Sequence, residues 1–225
     1  MHVSEIRIPN DERRNSMDKN ILIIAGEPSG DVRGSELLEK LVPLVPGVCF
    51  WGIGGDRMAA KGVELLEHVR DLSMVGLSEI MKKLPRVRRQ FQTLEREIGR
   101  REPFLAILID YPGFNLKIAR YLHTKGIPVV YFIVPQVWAW GSWRIRSIKE
   151  HVSKALVLFD FEEKMLKERG VDCEFVGHPL VDEAPSPAKR QGTTTVALLP
   201  GSREHEINTL YPVMLEAAEI IRAVL

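Results

Sequence analysis

The chain lacks the features that would commit it to export, to a membrane span or to a metal. Its first 20 residues, MHVSEIRIPNDERRNSMDKN, contain no apolar core of signal-peptide length, which argues against secretion. No apolar run approaches transmembrane length, and the longest, such as Pro128 to Val134, are strand-sized. There are only two cysteines, Cys49 and Cys173, without CxxC or paired spacing, so both read as reduced, buried residues of a cytoplasmic protein. The six histidines fall in no metal-ligand spacing and Asp-x-Asp is absent, so metal-dependent sugar-nucleotide chemistry has no support. The phosphate loop GxxxxGK[ST] is missing too. A formal net charge of +1 gives no global signal for nucleic acid or membrane, leaving local clusters as the place to look. There are no internal repeats or low-complexity tracts.

What is present is an alternation of apolar runs and helical patterns, in a chain of 225 residues that can bury a real core and form one or two domains. Strand candidates are 21–26, 48–52, 104–110, 129–134, 155–159 and 173–176. Helical segments lie between them at 34–42, 55–61, 76–100, 115–124, 142–150 and 161–169. Such βα alternation predicts an α/β fold with a Rossmann-like, doubly wound parallel sheet. Residues 1–19 read as a flexible polar tail, 20–183 as the first domain and 184–193, rich in proline and charge, as a linker. A further strand at 194–199 and a helix from Glu204 open a second, truncated Rossmann-like domain over 194–225. One strand and one helix cannot enclose a core, so the chain reads as incomplete.

Candidate chemistry collects where strands end, because ligands of open α/β sheets bind beyond the carboxyl ends of the strands. The run Ile21-Leu22-Ile23-Ile24 stops in Ala25-Gly26-Glu27-Pro28-Ser29-Gly30-Asp31, which places Glu27, Ser29 and Asp31 where a polar ligand is expected. The alternative is that the glycines allow a tight turn while Ser29 or Asp31 caps the helix. Asp110 ends another apolar strand; it is either a partly desolvated base for a substrate hydroxyl or a cap for the following helix. The loop from Pro135 to Arg144 packs three tryptophans into six residues, with Gln136 and Arg144 beside them. It suits a sugar or acyl chain, or else forms an apolar plug. Leu199-Pro200-Gly201-Ser202-Arg203 could hold a diphosphate on backbone N–H groups and a cation. His178 either touches a ligand or is a structural turn residue. Gly52-Ile53-Gly54-Gly55-Asp56 has Arg57 where a dinucleotide fingerprint needs its third glycine, and NAD binding is rejected. From Met81 to Arg101 the chain is basic and amphipathic, with Met81, Lys82, Lys83, Leu84, Arg86, Arg88 and Arg89 at its start. That pattern fits an anionic membrane surface or a solvated helix packed on the sheet.

In order and spacing, these motifs resemble the lipid-A-disaccharide synthases, inverting glycosyltransferases of bacteria with an outer membrane. The residues that carry the resemblance are AGEPSGD at 25–31, Met74-Val75-Gly76-Leu77, Ile109 to Asn115, Pro135 to Trp140, Phe175 to His178 and LPGSREHEI at 199–207. The resemblance implies the GT-B architecture, this chain supplying its N-terminal domain and the start of the second. It implies transfer of 2,3-diacylglucosamine from its UDP derivative to 2,3-diacylglucosamine 1-phosphate at the inner-membrane surface, without cofactor, metal or nucleic acid. By that analogy Asp110 is the general base, or supports it, and Arg203 neutralises the diphosphate. Glu27, Ser29, Gly30, Asp31, Asn115, Gln136, Trp138, His178, Ser202 and Glu206 fall on the substrate side. Family members often carry an acid where this chain has Gly113, and they continue well beyond residue 225, so the chain alone is expected to be inactive. The rival readings are a sugar-nucleotide epimerase or other GT-B enzyme, and a non-catalytic lipid- or sugar-binding half.

Overall fold

The computed structural model describes residues 19–70, 80–137, 143–184, 195–201 and 204–224, with backbone alone for 80–87 and 224. The elements run β1 (Asn20–Ala25), α1 (Pro28–Leu41), β2 (Cys49–Gly54), α2 (Asp56–Ala59), β3 (Val63–His68), α3 (Ile80–Arg101), β4 (Leu105–Ile109) and α4 (Pro112–Thr124). They continue as β5 (Val129–Phe132), α5 (Arg144–His151), β6 (Lys154–Val157), α6 (Asp160–Glu168), β7 (Cys173–Phe175), α7 (Leu180–Glu183) and α8 (Glu204–Val224).

Among the described residues the strands form one sheet of seven, in the order β3-β2-β1-β4-β5-β6-β7, and every pairing is parallel. β1 lies inside it, between β2 and β4, with Ile24 opposite Leu108 of β4 and Ile53 of β2. Its side chains alternate between two cores, as a period of two requires. Leu22 and Ile24 enter the larger core with Leu94, Ile118, Ile148 and Leu166, which belong to α3, α4, α5 and α6. Ile21, Ile23 and Ala25 enter the smaller one with Leu38 of α1 and Met58 of α2. Burial on both faces is why β1 reads as an unbroken apolar run. Each such Ile or Leu contributes about 1.5–3 kcal/mol through burial.

This winding creates the feature that matters for function. From β1 the chain moves outward to β2 and β3 with α1 and α2 on one face. It then returns through α3 to β4, on the other side of β1, and winds outward again with its helices on the opposite face. The strand order therefore reverses between β1 and β4, and a crevice opens above their carboxyl ends.

Some expectations need correction. Cys49, expected to be buried, is exposed because it is the first residue of β2, one position before the buried stretch; Cys173 is buried, and both are free thiols. β3 was not foreseen. It is an edge strand whose outer positions carry Glu64, Glu67 and His68. The strand expected at 194–199 is not formed: residues 195–200 have no regular structure, and a strand without a partner makes no ladder. Residues 185–194, where most of the linker was placed, lie outside the described residues. The chain divides into two compact units, Met1–Asp182 and Glu183–Leu225. The second contains α8, on which Leu210, Val213, Ile220 and Ile221 are exposed.

Candidate functional site

Two loops of the same plan face each other across the crevice. The first joins β1 to α1 and the second joins β4 to α4, and each helix starts with proline, Pro28 or Pro112. Proline fits the first helical position because its fixed φ is helical and its missing N–H is not needed there. The residues before them, Glu27 and Tyr111, occupy the N-cap positions, and neither makes a side-chain cap. Among the described residues, the first N–H groups of both helices have no side-chain acceptor, and their partial positive charge favours an anion.

The second loop is strained. Asp110 and Tyr111 both have left-handed backbones, with φ of 46° and 49°, and Ile133 at the end of neighbouring β5 has φ of 60°. Each such residue costs about 1–3 kcal/mol, so the surroundings must hold it in place. They do so through the Asp110 carbonyl. The Tyr131 hydroxyl donates to it at 2.8 Å and Asn115 Nδ2 at 2.7 Å. Asn115 Nδ2 also reaches the Ile109 carbonyl at 3.2 Å, and the Asp110 N–H donates to the Phe132 carbonyl at 3.0 Å. The backbone of Asp110 is fixed while its carboxylate, half-buried, carries no ion pair among the described residues. Burial pushes this carboxyl above the ordinary aspartate range, opposed in part by the Tyr111 N–H. A carboxylate of that kind accepts a proton more readily than a solvated one.

Across the crevice, the Tyr111 ring lies against Gly26. A Cβ on Gly26 would fall 2.1 Å from Tyr111 Cδ1, so only glycine fits beneath the ring. The ring also packs on Phe114, with centroids 5.7 Å apart. Burial, and then the charge of Glu27, push the Tyr111 hydroxyl up. Glu27 and Ser29 are exposed, and Gly30 is buried against Ala25.

Two residues expected on the substrate side are bonded within the protein. Asp31 is 6% exposed and turned toward the next loop. Its Oδ1 accepts the N–H groups of Gly55 at 2.7 Å and Met58 at 3.1 Å, and its Oδ2 that of Arg57 at 3.2 Å. Asp31 therefore caps α2, not its own helix, and occupies the donors that a nucleotide phosphate would need in the Gly52–Asp56 loop. Asn115 is fully buried and holds the Asp110 turn.

The remaining candidates are dispersed. Gln136 is exposed beyond β5. His178 lies at the end of β7, three strands from β4, beside the Phe159 ring, and its Nδ1 accepts the Leu180 N–H at 3.2 Å. It lines a cavity of about 680 Å³ with Arg33, Leu37, Phe132, Phe159 and Phe175, and Asp110 is not part of that lining. Glu206 belongs to the second unit, at the start of α8. Trp138, Ser202 and Arg203 lie outside the described residues, as do the side chains of Met81, Lys82, Lys83, Leu84 and Arg86; Arg88 and Arg89 are exposed on α3. The sequence does not single out Tyr111, whose ring covers Gly26, or Tyr131, whose hydroxyl holds the Asp110 carbonyl.

The chain matches the family described as Lipid-A-disaccharide synthetase over residues 21–224. The Lipid-A-disaccharide synthase of Coxiella burnetii (strain Dugway 5J108-111) is 43% identical, over 91% of this chain and 57% of that protein. That of Syntrophus aciditrophicus (strain SB) is 44% identical, over 90% of this chain and 56% of its own length. The chain thus spans a little over half the length of these curated relatives. Among solved structures it is similar to the UDP-GlcNAc 2-epimerase from Neisseria meningitidis bound to UDP-GlcNAc, with a TM-score of 0.53, 9% identity, and coverage of 72% of this chain and 47% of that one. At that identity the likeness is one of fold, the Rossmann-like half of a GT-B protein. With the family match covering nearly every described residue and both crevice loops, the chain belongs to the lipid-A-disaccharide synthetase family.

Proposed function

We propose that this chain is the acceptor-side half of an inverting glycosyltransferase of lipid A biosynthesis. It would transfer 2,3-diacylglucosamine from its UDP derivative to 2,3-diacylglucosamine 1-phosphate, giving lipid A disaccharide 1-phosphate and UDP. The observation that carries the reading is Asp110: a half-buried carboxylate without an ion pair among the described residues, at the switch-point crevice, with its proton affinity raised by burial. In this role Asp110 removes the proton from the acceptor 6-hydroxyl as that oxygen attacks the donor's anomeric carbon. The bond to UDP breaks on the opposite face, the configuration inverts, and no covalent sugar–enzyme intermediate forms. The open N-termini of α1 and α4 suit the acceptor phosphate, with Ser29 beside it. Arg203 and Ser202 would meet the diphosphate of the donor.

Both lipid substrates belong to a membrane surface, and the basic segment of α3 from Met81 to Arg89 is the part proposed to rest on the inner membrane. No described helix is long and apolar enough to cross a bilayer; the contact proposed is that of a basic amphipathic helix lying on the surface.

The test is UDP release from the two diacylglucosamine substrates, comparing this chain with its reading frame extended downstream. An active long form, with Asp110→Ala reduced by about 10²–10⁴-fold, is the expected result. A long form that binds both substrates yet releases no UDP would overturn the transferase reading and leave a binding protein.

A further inference from the structure

Beside Asp110 lies a second polar group that the reaction does not use. The Tyr111 hydroxyl is half-buried and makes no hydrogen bond among the described residues, and the residue that follows Gly26 beneath its ring is the exposed carboxylate Glu27. The ring cannot turn away easily. Its backbone is left-handed, Pro112 follows it, Gly26 lies under it and Phe114 stacks beside it. A fixed donor beside an acceptor matches a sugar hydroxyl, which accepts one hydrogen bond and donates another.

We infer that Tyr111 and Glu27 together hold the 4-hydroxyl of the acceptor sugar, the phenol donating to its oxygen and the carboxylate accepting its hydrogen. The inference rests on the transferase reading above. Acylation at positions 2 and 3 leaves the acceptor with free hydroxyls only at C4 and C6. If the 6-hydroxyl goes to Asp110, the 4-hydroxyl is the one left for a neighbouring donor and acceptor. The pair would set regioselectivity: it engages the 4-hydroxyl away from the base and presents the 6-hydroxyl to it. No bond is made or broken at Tyr111, so it is a positioning residue.

The experiment titrates the 225-residue chain with glucosamine 1-phosphate and with 4-deoxyglucosamine 1-phosphate, using wild type, Tyr111→Phe and Glu27→Gln, and reads binding by calorimetry or NMR. Wild type is expected to bind the 4-deoxy sugar roughly three- to tenfold more weakly, the range of one hydrogen bond. Tyr111→Phe keeps the ring, so its urea midpoint stays within error of wild type while its discrimination between the sugars falls; Glu27→Gln lowers it likewise. A merely structural role for Tyr111 would leave the discrimination intact. Full discrimination in Tyr111→Phe, or none in wild type that binds both sugars, overturns this inference alone. Wild type that binds glucosamine 1-phosphate no better than inorganic phosphate overturns the acceptor reading and this inference with it.

Discussion

Replacing Gly26 by alanine tests the packing on which the crevice depends. The added methyl would lie 2.1, 2.3 and 2.6 Å from Cδ1, Cγ and Cε1 of Tyr111. Carbon atoms prefer a separation of about 3.5–4.0 Å, so the ring must move by well over an ångström. Its freedom to do so is small, because Asp110 is tied through its carbonyl by Tyr131 and Asn115 while Phe114 packs on the other side. Overpacking of this kind costs about 1–3 kcal/mol, and a clash with a pinned ring belongs near the upper end. Against it stands a gain of about 0.4–1 kcal/mol, since alanine restricts the unfolded chain. The expected net loss for Gly26→Ala is about 2 kcal/mol, or a fall in Tm of about 4–8 °C for a chain of this size. In a Tyr111→Gly background the obstacle is gone, and the same alanine should stabilise by the unfolded-state gain alone. Urea midpoints followed by circular dichroism, on both singles and the double, give a coupling of about 3 kcal/mol. Equal destabilisation by Gly26→Ala in both backgrounds would refute the claim that Tyr111 is what the methyl meets.

Three further outcomes follow from the same geometry. Asp31→Ala removes the acceptor of three backbone N–H groups at the start of α2 and should lower stability by about 2 kcal/mol, read from the urea midpoint. Gly113→Asp should raise it by about 1 kcal/mol: a Cβ there meets nothing within 4 Å, and an acid in the first turn of α4 suits the helix dipole better than glycine. Burial holds the Asp110 carboxyl above its ordinary value of 3.8, so folding disfavours its charged form. Its contribution to stability is full below that value and is lost as the pH rises through the folded one. Asp110→Asn should therefore melt higher than wild type at pH 7, with the gain shrinking as the pH falls toward 3.8.

The sequence was most legible where a strand is buried on both faces. β1 and β4 were expected at 21–26 and 104–110, and they occupy Asn20–Ala25 and Leu105–Ile109. β3 was illegible for the opposite reason: at the sheet edge it exposes Glu64 and leaves Glu67 half-buried, and its alternation is broken by a register shift in its pairing with β2 at Gly52/Ile53. Helix starts were placed too late, at 34 and 115, because apolar periodicity begins only after the first turn. Pro28 and Pro112 mark the true starts. At the site, residue types identified the loops but not the roles. Asp31 and Asp110 look alike in sequence, and only the fold reveals that the donors of α2 lie within reach of one and not the other.

The two loops divide the work of the crevice in a way that explains both the glycine and the strain. Three carboxylates lie around the reversal of strand order. Asp31 accepts three backbone donors at the start of α2. Glu27 stays exposed, where its oxygens are open to a donor from solvent or ligand. Asp110 loses solvent and, among the described residues, its carboxylate gains the Tyr111 N–H but no cation, because the left-handed turn ties its carbonyl inward and leaves the carboxylate half-buried at the rim. The same turn throws Tyr111 across to the β1 loop, where it would strike any side chain but the absent one of Gly26. Strain in one loop is thus matched by space in the other, and neither feature has a purpose without its counterpart. Relieving the strain by substitution at Tyr111 should leave the sheet intact and uncouple the two loops, which is why the Gly26 and Tyr111 pair, measured together, reports on the crevice as a unit.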